Sequence, residues 1–533
     1  MLTDNAINEA VPEVINWPVV LVIVVGVFMA MLDSSIVNVA LPKMMAVFGV
    51  SADAITWVPN AYMLTMGVIM PMAGYLGDTF GYKRCFLITL VLFVLGSAIS
   101  GLAWNINSMI AARVIQAIGG GLIQPLAMAM LYKICPRDKM GMVLGVFGIS
   151  AMAAPAIGPV LGGYLVQYAD WRLIYYINVP IGILNLFLAQ RLLAETDLSR
   201  GERLDLNGIV LSAIGFFTLL FTLNQSSSLG WSNPEIVILL LVSLLSLIGF
   251  VVNELRVPDP ILDLRLFLNP IFAIGNIIMG VVVVGLFAVL FLEPQLIQNV
   301  LGQTAMTSGL ITFPAAIAQG ALMPISGRIF DKYGARVISI AGLAIVAWAS
   351  YMMHTISGST AFSTITMWMM IRGAGIGLGM MPVMNACMSV VPRPLVGRAS
   401  ALLNVSKQIF ASFGIAVLTT VMQNRQVYHY SELAQSINTS SPAFSSIQHA
   451  LSGIASQLGI GAMAGEALGI NVIYGKVATL AAVQAIDDCF VIAAVLCVMA
   501  MVLCFFLKDR KTGVISGAAP VDASEQQPAI LEA

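Results

Sequence analysis

Charged side chains are scarce in this chain. Asp, Glu, Lys and Arg make up 10% of its 533 residues, whereas about 25% is usual in soluble proteins. Hydrophobic residues make up 59%, and the mean hydropathy is +0.93. This composition excludes an ordinary soluble domain and predicts an integral membrane protein with many spans. The formal net charge is −1, and no basic stripe is present that could follow a phosphate backbone, so nucleic-acid binding is not expected.

Histidine, cysteine and nucleotide-binding motifs are sparse as well. With three histidines in the chain, a histidine proton relay is not expected. The six cysteines lack the paired spacing of a metal site or a disulfide framework, so we interpret them as small packing residues. No loop of the form Gly-x-x-x-x-Gly-Lys-Ser/Thr occurs, and ATP is therefore not the expected energy source. We expect no cofactor and no metal ion.

Long apolar runs are abundant. A transmembrane helix needs about 20 predominantly apolar residues, and fourteen segments meet or approach this length. The first 16 residues contain no Lys or Arg, so the first segment is expected to be retained rather than cleaved as a signal peptide. The predicted spans are 18–40, 55–77, 85–104, 107–131, 141–166, 173–193, 208–224, 235–253, 270–293, 307–327, 336–354, 363–390, 399–421 and 487–507.

Lys and Arg are distributed unequally between the two sides of the membrane. If the N-terminus is cytoplasmic, most of the 25 basic residues fall in cytoplasmic segments. Because positive charge is retained on that side, both termini are predicted to be cytoplasmic. The outer segments hold Lys43, Arg172, Arg425 and Lys476, and the predicted helices hold Arg113, Arg372 and Lys407.

The spans divide the chain into seven regions. These are a cytoplasmic N-terminus (1–17), an N-terminal six-helix half (18–193), a linker with two inserted helices (194–254), the first five helices of the C-terminal half (255–421), a periplasmic loop (422–485), the last helix (486–507) and a cytoplasmic tail (508–533). So long a loop is usually functional or disordered, and its piece 447–468 has apolar spacing that could form a helix. The tail is rich in Ala, Pro, Glu and Gln and is expected to be disordered.

One motif occurs twice, 253 residues apart. Duplication of a six-helix unit, with helices 7 and 8 inserted between the copies, explains this constant offset. Such repeats are typical of secondary transporters, whose substrate site lies near the bilayer midplane between the halves. The copies are Gly74-Tyr-Leu-Gly-Asp78-Thr-Phe-Gly81-Tyr-Lys83 and Gly327-Arg-Ile-Phe-Asp331-Lys-Tyr-Gly334-Ala-Arg336, and the pairs Pro71/Pro324 and Gly49/Gly302 keep the offset.

The residue types of this motif suit a cytoplasmic latch. Glycine permits tight turns and close helix approach, and Asp78 has Lys83 and Arg84 nearby for an ion pair. Such a pair can form in one transport state and break in the other. An ordinary charged turn is the alternative, but two copies at matching positions favour the latch. The predicted latch residues are Gly74, Asp78, Gly81, Lys83, Arg84, Gly327, Asp331, Gly334 and Arg336.

Asp33 is the only charge in the first apolar run. It lies about 15 residues, or roughly 22 Å, from the start of that run, which places it inside a bilayer core ~30 Å thick. A carboxylate there costs roughly 3 kcal/mol or more and usually marks an ion or substrate pathway. A helix cap or a side chain reaching the surface is the alternative, but Asp is too short to reach far.

Helix depth pairs Asp33 with Arg113. Arg113 lies roughly 9 Å from the outer face and Asp33 about 8 Å, so the two can share one level. A neighbouring Arg favours the ionised carboxylate, while burial favours the neutral one. We predict that Asp33 and Arg113 form the proton-coupling site, at which Asp33 binds and releases a proton in each cycle.

Several motifs resemble one transporter superfamily. Gly-x-Leu-x-Asp-x-x-Gly-x-Lys-Arg at 74–84 resembles the loop 2–3 signature of the major facilitator superfamily. Ala154-Pro155-Ala-Ile-Gly158-Pro159-Val-Leu-Gly162-Gly163 resembles its antiporter motif, which occurs in exporters and is generally absent from importers. Glycines and prolines at this density also suit close helix packing. The motif residues are Pro155, Gly158, Pro159, Gly162 and Gly163.

Two further segments resemble the fourteen-helix drug:proton antiporter family of the EmrB/QacA type. They are Leu32-Asp33-Ser-Ser-Ile-Val-Asn38-Val-Ala-Leu-Pro42 and Trp171-Arg172…Ile177-Asn178-Val179-Pro180-Ile181-Gly182. The long outer loop looks closer to the EmrB branch. Arg113-x-x-Gln116-x-x-Gly119 resembles the superfamily's helix 4 motif, to which a proton-transfer role is attributed.

The resemblance implies an all-α polytopic membrane protein with the major facilitator fold, built from two six-helix halves and two inserted helices. It also implies a bacterial inner-membrane exporter of drugs that exchanges them for protons. The EmrB branch implies a periplasmic membrane-fusion adaptor and an outer-membrane channel as partners, with the long outer loop as the candidate contact.

Other polar residues of the predicted spans are candidates for the substrate cavity. We predict that Asn38, Gln116, Arg372, Asn404 and Lys407 line it. Lys407 occupies a position where the family usually has a basic residue. Glu293 is a weaker candidate for proton coupling, because the repeat aligns Pro294 with Pro42 and thereby places Glu293 at the outer rim; the family more often has an apolar residue there.

Three alternatives to a multidrug antiporter remain open. A dedicated exporter of one metabolite or siderophore could use the same fold, and only a substrate screen separates it from a multidrug pump. A polytopic lipid-modifying enzyme would need a cluster of catalytic His, Asp or Ser at one membrane face, and the sequence shows no such cluster. An importer is disfavoured by the helix 5 motif. We therefore predict a transporter and not an enzyme.

Overall fold

The computed structural model describes residues 15–136, 139–195, 205–357, 360–436, 444–446, 449–450, 453 and 462–507. Within these ranges the chain forms helices and turns, with no strand, which confirms the predicted all-α class. Most of the predicted cytoplasmic N-terminus and the whole predicted tail lie outside the described residues. The helices are α1 (Trp17–Phe48), α2 (Trp57–Ile69 and Ala73–Phe80), α3 (Tyr82–Gly101), α4 (Ile106–Ile134), α5 (Met140–Tyr168), α6 (Leu173–Tyr176 and Asn178–Leu192), α7 (Leu206–Leu229), α8 (Pro234–Arg256), α9 (Pro270–Pro294), α10 (Ala305–Tyr333), α11 (Arg336–Met352), α12 (Phe362–Ser389), α13 (Val396–Ser436) and α14 (Ala462–Cys504).

Thirteen helices of the described chain are long and apolar enough to cross a membrane. The remaining predicted span is α2, which a 3₁₀ turn at Met70–Met72 divides into pieces of 13 and 8 residues. Pro71 lies in this turn, and proline interrupts an α-helix because it has no N–H to donate and its ring clashes with the preceding turn. The second span is thus present as a broken helix.

The backbone repeats as the sequence does. Gly49 and Gly302 both have φ of 64°, and Gly81 and Gly334 have φ of 93° and 85°. Glycine enters this region without the steric cost of a Cβ atom. Equivalent turns therefore end α1 and follow α9, and equivalent turns end α2 and α10, as expected for two copies of one unit.

The two halves meet along two sets of helices. On one side α5 packs on α10, and on the other α2 and α4 pack on α13. The inserted helices α7 and α8 pack on each other, and α7 also contacts α2 and α13. Asn60 of α2 and Asn224 of α7 exchange two amide hydrogen bonds of 2.9 and 3.2 Å. The inserted pair thus flanks the α2–α13 contact between the halves.

Helices α13 and α14 are longer than predicted. They contain 41 and 43 residues, or about 60 Å at 1.5 Å per residue, which is twice the ~30 Å bilayer core. Much of the predicted loop 422–485 is therefore helical, because hydropathy marks where the membrane ends and not where the helix ends. Of the helical piece predicted at 447–468, residues 449–450, 453 and 462–468 are helical, and the others lie outside the described residues.

Candidate functional site

Asp33 lies in a fully buried polar cluster between α1, α4 and α6. Its side chain has no solvent exposure, and that of Arg113 is 1% exposed. Arg113 Nη1 donates to Asp33 Oδ2 at 2.5 Å. Gln116 Nε2 and Asn178 Nδ2 both donate to Asp33 Oδ1 at 2.9 Å. The side chains predicted from helix depth to share one level thus form an ion pair, and their role in coupling stays a prediction.

Arg113 is held by partners other than Asp33. Its Nη1 also donates to Gln116 Oε1 at 2.7 Å, and its Nε donates to the Val58 carbonyl at 3.5 Å. The guanidinium carbon lies 4.1 Å from the ring centre of Tyr62, a cation–π geometry that favours a desolvated cation. These contacts keep the Arg113 charge in place independently of Asp33.

Asn178, Ser97 and Tyr62 belong to this cluster and were not among the predicted site residues. Asn178 also donates to Ser97 Oγ at 3.1 Å, and Ser97 donates to the Tyr175 carbonyl at 2.9 Å. The hydroxyl of Tyr62 and Oδ1 of Asn178 are buried without a hydrogen-bond partner. Asn178 stands in the segment that resembles the antiporter family, and that resemblance was the signal for it. For Ser97 the signal was an uncharged polar residue within an apolar run.

The helix 5 motif packs on α1 immediately beyond Asp33. A Cβ added at Gly158 would lie 2.1 Å from Ser35 Oγ, and one at Gly162 would lie 2.8 Å from Ile36 Cγ1. Larger residues at these glycines would push α1 away from α5, since real Cβ atoms essentially never approach so closely. Helix α5 continues through Pro155 and Pro159.

The same motif also faces the C-terminal half. A Cβ at Gly163 would lie 3.5 Å from Met306 Cβ of α10, and one at Gly309 of α10 would lie 3.1 Å from Pro159 Cβ. Helix α5 therefore contacts both the helix that carries Asp33 and the opposite half of the protein.

Glycines of the duplicated motif allow the two halves to approach each other closely. A Cβ at Gly74 of α2 would lie 2.8 Å from the backbone of Arg398 in α13. In the second copy, a Cβ at Gly327 of α10 would lie 2.1 Å from the Gly141 carbonyl oxygen in α5. Equivalent glycines thus serve the two contacts between the halves.

Asp78 has a different cationic partner from those predicted. Lys133 of α4 places Nζ 3.0 Å from Asp78 Oδ1. The Lys83 backbone N–H donates to Glu195 Oε1 at 3.1 Å, and Arg84 Nε lies 3.7 Å from Glu195 Oε2. The reason is the turn at Gly81, after which Lys83 and Arg84 begin α3 and face Glu195.

The second copy of the latch motif contacts the chain just after α14. Arg336 donates from Nε and Nη2 to the Leu507 carbonyl at 2.9 and 2.7 Å, and Gly334 supplies the turn that ends α10. The side chain of Asp331 lies outside the described residues, so the predicted pairing at this copy stays a prediction.

The residues predicted to line the cavity lie in separate places. Gln116 belongs to the Asp33 cluster. Asn404 donates to the Ser400 carbonyl at 2.8 Å, and Ser400 joins α13 to α4 through the Pro125 carbonyl. Arg372 donates to the Gly285 carbonyl and to Ser350 Oγ. Lys407 Nζ lies 3.7 Å from Met384 Sδ. Asn38 is exposed, and its Nδ2 lies 3.5 Å from the Ser34 carbonyl oxygen.

A cavity of about 190 Å³ lies between α2, α7, α9 and α13. Its polar lining consists of amides and hydroxyls, and none of the predicted cavity residues belongs to it. Gln408, which lines the cavity, is next to the predicted Lys407 in sequence. The lining residues are Asn60, Met63, Leu64, Leu220, Leu223, Asn224, Phe291, Gln408, Ser412, Ile415, Ala416 and Thr419.

Glu293, which the repeat alignment places at the outer rim, is buried in the protein. Its side chain is 2% exposed near the end of α9. Ser308 Oγ of α10 lies 3.2 and 3.4 Å from its two carboxylate oxygens. The repeat alignment could not indicate this burial, because the aligned residue in the first half, Leu41, is only half-buried.

Comparison with known proteins shows similarity to membrane transporters. The Major Facilitator Superfamily profile matches residues 23–415. The uncharacterized MFS-type transporter YhcA of Bacillus subtilis is 35% identical over 490 residues, 92% of each chain. The multidrug export protein EmrB of Escherichia coli is 31% identical over 430 residues, 80% of this chain and 84% of EmrB. The tetracenomycin C resistance and export protein of Streptomyces glaucescens is 30% identical over 410 residues, 77% of this chain and 76% of that protein.

Solved structures share the fold at low sequence identity. The proton:xylose symporter XylE, bound to 6-bromo-6-deoxy-D-glucose, has a TM-score of 0.60 at 13% identity, over 92% of this chain and 96% of XylE. The human organic anion transporter MFSD10 has a TM-score of 0.60 at 13% identity, over 92% of this chain and 99% of that one. The profile match and the relatives above 30% identity decide the family. The chain belongs to the Major Facilitator Superfamily of membrane transporters, as its duplicated loop motif and its helix 5 motif indicated.

Proposed function

We propose that this protein exports amphipathic, often toxic compounds in exchange for protons, by alternating access, with Asp33 as the proton-coupling group. The observation that carries the proposal is the fully buried Asp33–Arg113 pair. Arg113 favours the ionised form of the Asp33 carboxylate, and burial favours its neutral form. Relatives named for multidrug export and for tetracenomycin C resistance and export support the substrate class.

The hydrogen bonds of Asp33 suggest how one proton could be sensed. Ionised Asp33 accepts from Arg113, Gln116 and Asn178. Protonation removes the charge that balances Arg113, and it adds a donor among groups that are already donors. A half-turn of the Asn178 amide would present its unpartnered Oδ1 to the new O–H. The cluster therefore has a distinct arrangement for each protonation state.

Packing offers a route from this cluster to the interface between the halves. Helix α1 lies against Gly158 and Gly162 of α5 without room for a Cβ, and α5 lies in the same way on α10. A shift of α1 on protonation would therefore displace α5, and with it the α5–α10 contact. This is the kind of rigid-body coupling that rocking of two halves requires.

The cytoplasmic contacts fit the outward-facing state of such a cycle. Gly74 meets the α13 backbone there, and Ser400 of α13 donates to the Pro125 carbonyl of α4 at 2.8 Å. In the proposed cycle these contacts separate once a proton has been taken up from outside. The substrate then enters from the cytoplasm.

We further propose that the protein resides in the bacterial inner membrane with both termini in the cytoplasm. An adaptor and an outer-membrane channel are the partners that the resemblance of the long outer loop to the EmrB branch implies. The outer extensions of α13 and α14 are then the candidate surface for the adaptor, because they reach about 30 Å beyond the bilayer core.

Proton release from proteoliposomes on adding a panel of cationic and uncharged hydrophobic drugs tests the proposal. Wild-type protein should respond to several chemotypes, and Asp33→Asn should respond to none while remaining monodisperse. Asp53→Asn, at an exposed carboxylate between α1 and α2, is the matched control and should respond as wild type. Drug-driven proton movement that survives Asp33→Asn would refute Asp33 as the coupling group. A response to none of the drugs would favour an exporter of one metabolite or siderophore.

A further inference from the structure

Glu293 is a buried carboxylate that the proposed mechanism does not use. Its partners are hydroxyls of α10: Ser308 Oγ lies 3.2 and 3.4 Å from the two carboxylate oxygens, and the Thr312 hydroxyl, one turn further along, also faces the carboxylate. Within the described chain, no Lys, Arg or His side chain forms an ion pair with it. An ionised carboxylate that is buried without a cation is costly, so Glu293 differs from Asp33, whose charge is balanced by Arg113.

The surroundings of Glu293 are apolar. Leu292, Leu296 and Ile297 on either side of it belong to one buried cluster with Ile311 of α10 and Phe490 of α14. Three charged groups on the helices packed against α9 have other contacts: Arg372 on α12 donates to the carbonyl of Gly285, two turns before Glu293; Lys407 on α13 faces Met384 Sδ; and Asp488 on α14 binds Arg425 and His429 of α13. Asp487 on α14 has a buried Oδ1 without a hydrogen-bond partner. The thiols of Cys387, Cys489 and Cys497 on α12 and α14 are buried.

Ser308 belongs to the turn of α10 that touches α5. The next residue is Gly309, where a Cβ would lie 3.0 Å from Val160 Cγ2 and 3.1 Å from Pro159 Cβ. One turn of helix therefore holds the Glu293 carboxylate on one side and the helix 5 motif on the other. A change at Glu293 can reach the outer contact between the halves through two adjacent residues.

The backbone beside Glu293 is irregular. Helix α9 ends at Pro294 and continues as a π-helix, Gln295–Val300. Insertions of π-helix are rare and frequently lie at functional sites. Their loosened hydrogen-bond ladder makes this end of α9 a place where a change of charge could alter the packing.

We propose that Glu293 is a second proton-binding site, located in the C-terminal half, whose charge state sets the packing of α10 on α5 at the outer end. Ionised Glu293 accepts a charge-assisted hydrogen bond from Ser308, a type roughly twice as strong as a neutral one. A proton taken from the outer solution removes that charge and weakens the bond, and the turn Met306–Gly309 is then free to shift on Pro159. The inference rests on the proposed function only in assuming that this contact moves during transport.

A disulfide across the contact can report its packing. A Cβ at Gly163 would lie 3.5 Å from Met306 Cβ, within the range of about 3.5–4.5 Å found in disulfides. The probe is the pair Gly163→Cys and Met306→Cys in full-length protein whose six native cysteines, all buried, are replaced by Ala. The measurement is the rate of oxidative cross-linking in detergent at about pH 5.5 and about pH 8, both below the pKa of about 8.5 of a free thiol.

The same pair in Glu293→Gln protein is the reference, because dividing the two rates cancels the pH dependence of the thiol chemistry. We expect the ratio to change by about threefold to tenfold between the two pH values, as the net effect of one hydrogen bond. The double variant Ser308→Ala/Thr312→Val removes both α10 hydroxyls that face Glu293 and should abolish the change. Glu432→Gln, at an exposed carboxylate on the outer part of α13, is the matched control and should leave the change intact.

The Asp33→Asn background separates this inference from the proposed function. If Glu293 acts by itself, the pH-dependent ratio persists in Asp33→Asn protein. A ratio that does not vary with pH, or one whose variation disappears with Asp33→Asn, overturns the inference. Should Glu293→Gln not fold, Ser308→Ala/Thr312→Val serves as the reference instead. A pH dependence of cross-linking in that variant equal to the one in protein that keeps Glu293, Ser308 and Thr312 would overturn the inference.

Discussion

Lys133, in the last turn of α4, places its Nζ 3.0 Å from Oδ1 of Asp78 near the end of α2. The Tyr82 hydroxyl donates to the same oxygen at 2.9 Å. The other oxygen lies against the first turn of α13, where a Cβ at Gly397 would be 3.4 Å from Asp78 Oδ2. Because a helix N-terminus carries partial positive charge, Asp78 connects the N-terminal half to α13.

This arrangement predicts that Lys133 matters more for transport than Lys83. Lys133→Ala leaves the carboxylate of Asp78, which is 3% exposed, without its cation, and should lower drug-driven proton flux by about tenfold, as expected for about 1.4 kcal/mol in the closed state. Lys83→Ala should have a smaller effect, because the backbone of Lys83, and not its side chain, binds Glu195. Lys43→Ala, at an exposed position on the outer side, is the control. Equal losses for Lys133→Ala and Lys83→Ala would contradict the assignment.

Gly74 is predicted to be required for closing the cytoplasmic end. Gly74→Ala places a Cβ 2.8 Å from the Arg398 backbone, so α2 and α13 should separate and the inward-facing state should gain population. The measurement is maleimide labelling of Asn404→Cys, a position that is 3% exposed beside the α4–α13 contact. Labelling should increase several-fold.

The matched control for that experiment is Gly475→Ala in α14, where an added Cβ meets nothing within 4 Å. It should leave the labelling of Asn404→Cys unchanged. Unaltered labelling in Gly74→Ala as well would show that this glycine does not govern the cytoplasmic contact.

Removal of Arg113 alone should destabilise the protein more than removal of the whole pair. Arg113→Ala leaves Asp33 ionised and buried, and breaking a buried pair in this way costs about 3–5 kcal/mol. The double variant Asp33→Asn/Arg113→Ala has no uncompensated charge and should recover most of the stability but none of the proton coupling. Thermal unfolding in detergent compares the two. Arg172→Ala, at a half-exposed side chain, is the control, and a double variant less stable than Arg113→Ala would speak against a mutually compensating pair.

Helix depth was sufficient to predict that Asp33 and Arg113 meet, because the rise per residue converts sequence position into position along the membrane normal. It could not predict Asn178 or Ser97, because depth says nothing about which helices are neighbours in the plane of the membrane. The cation that pairs with Asp78 was missed for the same reason. Lys83 and Arg84 are close in sequence, whereas Lys133 is close only after α4 has packed beside α2.

Several properties of this protein follow from its sequence alone. The scarcity of charge, the apolar runs and the 253-residue repeat determine a polytopic helical protein of two related halves, since hydrophobic length and duplication are properties of the chain itself. The glycines of the motifs likewise mark where close approach must occur.

Only the tertiary structure decided which helix makes each close approach: α1 and α10 against α5, and α13 against α2. It also buried Glu293, joined Asp78 to Lys133, and continued α13 and α14 far beyond their apolar segments. These outcomes depend on how the helices pack side by side and on helix propensity outside the membrane. The hydropathy that determines the spans gives no information about either.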